Sequence, residues 1–143
     1  MTLILSALLL TLVPAHQTDQ AFTVDGTLGT SSQYGVCMMS GDAARGTIAG
    51  QTKCMRDEID RQRERLNRSY RVLLTRLGPA RRQKLKIAEG RWEKSHDKVC
   101  QREIHSEEGE ASSLLIYNGC ILDAVTARAD FMIRYQRAVR AAK

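Results

Sequence analysis

Proline is nearly absent from this chain: two residues in 143, Pro14 and Pro79, so a helix beginning after residue 79 meets no built-in breaker. No segment alternates polar and apolar residues with period two, which excludes a half-buried sheet. No apolar run reaches the roughly 20 residues that a membrane-spanning helix needs. Aromatic residues are scarce, with one Trp, two Phe and four Tyr. Together with the lack of a recognised nucleic-acid motif, this argues against nucleic acid as a partner. There is no GxSxG, no HExxH, no glycine-rich phosphate loop after a strand and no credible Ser-His-Asp set. Neither an enzyme nor a cofactor site is expected.

What is present begins with an apolar stretch. The first fifteen residues, MTLILSALLLTLVPA, carry no charged side chain and end in Val13-Pro14-Ala15. Small residues at that point suit a signal peptidase, so residues 1–15 read as a secretory signal cleaved after Ala15, leaving no stable membrane anchor. Export fixes the reading of the four cysteines, Cys37, Cys54, Cys100 and Cys120. In an oxidising compartment an even count predicts two disulfides, while sequence leaves the three possible pairings open.

From residue 16 to 52 the chain is rich in Gly, Ser and Thr with no lasting apolar period, and it is expected to form a flexible arm. The texture changes near Cys54. Met55, Ile59, Leu66, Tyr70, Leu73 and Leu77 lie on one stripe of a 3.6-residue helix. Gly78-Pro79 ends it, since glycine suits the left-handed position after the last turn of a helix and proline the first turn of the next. Leu85, Ala88, Trp92, Ser95 and Val99 then share a face, and Leu114, Tyr117, Ile121, Val125, Met132 and Val139 share another on a third helix, capped by Ser112 or Ser113. The expected fold is all-α: a small antiparallel three-helix bundle over residues 53–140, disulfide-linked, with a flexible N-terminal arm. Neighbours in sequence are expected to be neighbours in space. Such a bundle gathers all four cysteines at one end.

Within RWEKSHDKVC, His96 and Cys100 share a helix face, but a closed zinc site needs two further ligands and the other histidines, His16 and His105, lie elsewhere. No metal is expected. Trp92 reads as a core anchor, Cys100 as a disulfide partner, and Asp97 as support for a helix end, while His96 has no assigned role. The formal net charge is +6, with 22 Lys and Arg against 16 Asp and Glu. Arg56, Arg61, Arg63, Arg65, Arg68, Arg71 and Arg76 crowd the first long helix. Such a run is most simply a solvated face, and otherwise a surface for anionic partners.

Cys54, Leu66, Asn67, Tyr70, Trp92, Asp97, Cys100, Cys120, Thr126 and Arg128 form a spaced set, C-x(11)-LN-x(2)-Y, W-x(4)-D-x(2)-C and C-x(5)-T-x-R. This set resembles the LprI-type lysozyme inhibitor family of bacterial secreted proteins, across about residues 37 to 136. Arg63, Glu89, Ser95 and His96 depart from that pattern. The resemblance implies a helical, disulfide-linked domain in the periplasm or outside the cell, and lysozyme as the partner. On that reading the acidic loop, Glu103, Glu107, Glu108 and Glu110, would face the basic enzyme. The alternative is a binding module in which Arg61, Arg65, Arg68 and Arg71 engage an anionic envelope polymer or lipid surface.

Overall fold

The computed structural model describes residues 28–104 and 109–142. The expected signal sequence, the first part of the expected arm, His105, Glu107 and Glu108 lie outside the described residues. The fold is all-α, with five helices among the described residues: α1 (Ser32–Met38), α2 (Gly41–Ala44), α3 (Ile48–Arg76), α4 (Pro79–Arg102) and α5 (Glu110–Ala141). No strand occurs among the described residues.

The apolar stripe of α3 folds as its period predicts. Ile59, Leu66 and Leu73 are buried along it, Leu77 is buried at its end, and Met55 and Tyr70 are half-buried. Pro79 opens α4 at its first turn with Gly78 as the cap residue. At α5 the cap is Gly109, so the helix starts ahead of Ser112 and Ser113.

Packing follows a different order from chain succession. α3 lies chiefly against α5, and the two run in the same direction: Ile59 meets Ile121, Leu122 and Val125 in one buried cluster, while Leu66, Leu73 and Leu77 meet Ala129 and Met132 in another. α4 returns between them in sequence but touches the bundle along a narrow line. Its buried residues are Leu85, Glu89 and Cys100. Half-buried Trp92 packs against both clusters. The expected face through Ala88, Ser95 and Val99 is therefore rotated. Those three residues are exposed, and the inward line is Leu85, Glu89, Trp92, His96 and Cys100. Spacings of four, three, four and four fit a helix face equally well, and Glu89 and Cys100 select it because each has a partner on α5.

Most of residues 32–52, the later part of the expected flexible arm 16–52, is helical and tied down. Ser31 caps α1 by accepting from the Tyr34 amide at 3.2 Å, and Thr47 caps α3 by accepting from the Gly50 amide at 3.1 Å. Gly50 lets α2 lie on α3: a Cβ there would come within 2.5 Å of the Ala43 backbone nitrogen.

The chain ahead of α1 is held by a buried polar network beside the apolar clusters. Glu58 is fully buried and accepts from the Ser31 amide at 2.6 Å, the Ser31 hydroxyl at 2.5 Å, Gln62 Nε2 at 2.6 Å and Arg61 Nε at 2.7 Å. Arg65 donates to the Gly29 carbonyl at 2.7 Å and pairs with Asp130, whose carboxylate also accepts from the Gly29 amide at 2.9 Å. Gly29 has φ of 90°, a backbone state that glycine adopts without steric cost. It exposes both its amide and its carbonyl to the network.

Glu58 also makes the fold acid-sensitive. Burial alone would push its carboxyl up, but hydrogen bonds from Ser31, Gln62 and Arg61 outweigh burial and hold it below its ordinary value. A depressed folded value means that the stabilisation is complete above about pH 4.5 and is lost as pH falls through the folded value. Thermal melts from pH 7 to pH 3 should show a declining midpoint below about pH 4.5. The Glu58→Gln variant should be less stable at pH 7 and show a shallower acid slope, whereas an unchanged slope would exclude Glu58 as a source.

Candidate functional site

The end of the bundle that carries the cysteines is cross-linked twice. Cys37 of α1 bonds Cys54 of α3 with Cα atoms 5.7 Å apart, and Cys100 of α4 bonds Cys120 of α5 at 5.5 Å. The pairing left open by the sequence is thus resolved between successive cysteines. Cys54 and Cys100 are buried.

Around the second disulfide, α4 and α5 are joined by polar contacts from spaced residues. The Tyr117 hydroxyl donates to Asp97, and Gln101 Nε2 donates to the other Asp97 oxygen at 2.9 Å. The Asp97 hydrogen bond, then burial and the negative charge of Asp97, raise the Tyr117 pKa, with Arg63 opposing. Asp97 therefore fixes α4 against α5, as well as bonding within its own helix. About two turns further along α4, Arg128 donates from Nε and Nη2 to Glu89 at 2.8 and 2.7 Å. Its guanidinium lies 5.7 Å from the Trp92 ring centroid and 5.0 Å from that of Phe131. His96 stacks on Trp92, with centroids 4.2 Å apart and planes 7° apart, and its Nδ1 lies 3.1 Å from the Trp92 carbonyl oxygen. That gives His96 the role it lacked in the sequence: it covers the indole.

The other spaced residues divide. Leu66 is core, and Tyr70 is half-buried against it, its pKa raised by burial and by the charges of Glu89 and Glu93. Thr126 is half-buried, and Asn67 is exposed. Trp92, Asp97, Cys100, Cys120 and Arg128 are therefore brought together as the seam between α4 and α5.

Of the arginines read as an anionic-partner surface, Arg65 is 4% exposed and paired with Asp130, so it belongs to the interior. Arg61 is half-buried and held by Glu58. Arg68 lies 3.7 Å from Glu64, and Arg71 is exposed. The four do not make one open surface. In the acidic set, Glu103 and Glu110 are exposed on either side of the α4–α5 connector.

A groove of about 370 Å³ opens between α3 and α5 at the same end, lined by Arg56, Ile59, Asp60, Arg63, Leu114 and Tyr117 among others. Sequence reasoning missed it, because α3 and α5 are not neighbours in the chain. Among the described residues no group of three or more His, Cys, Asp or Glu is placed to hold a metal. No helix among them is long and apolar enough to cross a membrane.

A family model described as "Lysozyme inhibitor LprI" matches residues 37–132. No curated protein and no solved structure matches the chain. The matched stretch contains both disulfides and the whole Trp92–Arg128 seam.

Proposed function

The chain belongs to the LprI lysozyme inhibitor family, and from that premise we propose that it works by binding, as an exported protein of the bacterial envelope whose acidic α4–α5 connector engages a basic lysozyme. The observation that carries this reading is the Cys100–Cys120 disulfide, which ties the end of α4 to the third turn of α5 and so closes the loop that holds the connector, with Glu103 and Glu110 exposed at the connector's two ends. Closing the base of a binding loop lowers the ordering entropy lost on association, and so favours affinity. The acidic sequence SEEGE in that connector also answers a charge problem. A protein of net charge +6 is repelled by a basic enzyme unless a local patch of opposite sign leads the encounter.

The arginine reading loses its support with Arg65 interior and Arg61 bound to Glu58. The inhibitor reading makes a direct demand. Replacing Glu103, Glu107, Glu108 and Glu110 together by glutamine should weaken inhibition of a basic lysozyme about tenfold or more at low salt, and less at high salt, with thermal unfolding unchanged. An inhibition constant that stays the same would remove the connector from the binding surface.

A further inference from the structure

α4 touches the bundle along one line and turns a broad face outward. That face carries Lys84, Arg91, Lys94, Lys98 and Arg102, all exposed, at spacings of seven, three, four and four. They form a single row spanning about 27 Å at roughly 1.5 Å per residue. The acids of α4 are elsewhere: Glu89 is buried on Arg128, Asp97 is bound to Tyr117 and Gln101, and Glu93 lies on the flank nearer Tyr70. Among the described residues none of the five cations has an ion-pair partner. Like charges three and four residues apart on a helix destabilise it, so the free row holds a repulsion that an anionic partner would relieve.

We infer that this outward face of α4 is a docking surface for a bilayer rich in anionic lipid. Three features favour a flat lipid surface over a polymer or a folded protein. The row is straight and lies on a single helix, so a plane can meet all five cations at once. Ile87 sits on the same face between Lys84 and Arg91 with 45% of its surface exposed, where it can enter the headgroup layer while the long basic side chains reach phosphates. A shallow depression along the row is lined by Lys94, Ser95, Lys98, Val99, Gln101 and Arg102, with no aromatic side chain to stack on a base or a sugar. Each basic residue near an anionic leaflet adds to attraction, and the sum decays within a Debye length. The connector and its acidic residues follow Arg102 directly. Docking through α4 would hold an inhibitor loop at the membrane boundary.

The test is sedimentation of the purified, oxidised protein with vesicles of phosphatidylglycerol and phosphatidylcholine in equal parts, against vesicles of phosphatidylcholine alone. Partition to the anionic vesicles should be about tenfold greater or more at low salt and should fall toward the neutral level above about 0.15 M salt. K94E/K98E should lower the anionic partition about tenfold, and K94Q/K98Q should lower it by a smaller factor, both with wild-type circular dichroism. R71E/R134E changes net charge by the same amount at exposed positions off the row, and should lower partition by less than about threefold. No excess on anionic vesicles overturns the inference. So does an equal loss in the row variant and the off-row variant, which would make the effect one of net charge. Binding to soluble polyphosphate without binding to vesicles would assign the row to a polymer instead. Lysozyme inhibition is read in a separate assay without lipid, so either function can fail without the other.

Discussion

Asp130→Ala should lower the unfolding free energy of the oxidised protein by about 3 to 5 kcal/mol. The side chains of Arg65 and Asp130 are only 5% and 12% exposed, so the alanine variant leaves a guanidinium in the interior without its ion-pair partner, balanced only by the charge of Glu58. Gly29 O and Gln62 Oε1 would still hold one of its nitrogens, but Nε already has no hydrogen-bond partner. The variant also releases the Gly29 amide. Native domains retain about 5 to 15 kcal/mol in total, so this loss is a large share. Urea unfolding measures it. The double variant Arg65→Met with Asp130→Leu should recover most of the loss, because replacing both members of a buried pair avoids the stranded charge. A single-variant loss below about 1 kcal/mol would mean that water reaches the pair and that it acts as a surface salt bridge.

Removing the second disulfide as Cys100→Ala with Cys120→Ala should cost about 3 kcal/mol, the value that chain entropy assigns to loops of this length. The sequence separation is 20 residues. A second effect distinguishes it from loss of Cys37–Cys54, separated by 17 residues and similar in entropy. α4 has few buried residues, so without the bond to Cys120 its last turns depend on the Asp97–Tyr117 contact and on the packing of residue 100 against Ile59, Ile121 and Leu122. Inhibition of a basic lysozyme should therefore fall about tenfold or more in the Cys100/Cys120 variant, and much less in the Cys37→Ala with Cys54→Ala variant. Equal inhibition by both would show that the connector does not depend on its closed base. Denaturant melts and inhibition constants on the same samples separate the two contributions.

Several of these features were legible in the sequence and others were hidden for physical reasons. The α3 stripe and Pro79 in the first turn of α4 are local signals that the helices follow, whereas Gly78, expected in the left-handed state past α3, is extended with φ of −64° and caps α4. The gathering of cysteines at one end follows from up-and-down helices. The face of α4 was misread because apolar Val99 was preferred to Glu89, whose burial depends on Arg128 of another helix. Arg65 resembled its neighbours in an arginine-rich run, and only Asp130, 65 positions later, sets it apart. The two short helices were hidden by Gly, Ser and Thr content, although Ser31 and Thr47 are residue types that cap helices. The likeness to the inhibitor family came through spacing. The structure adds that Trp92, Asp97 and Arg128 act together on one seam.

The pairing of cysteines in consecutive order bears on how the protein is made. Closing a loop costs more entropy as the loop grows, and every alternative pairing of these four cysteines includes a longer loop. In a chain delivered N-terminus first, Cys37 and Cys54 can bond before Cys100 has appeared, and Cys100 then finds Cys120 as the next thiol to arrive. Each native bond joins the nearest thiols along the chain, so this order of arrival leads to the native pairing without requiring a mispaired intermediate.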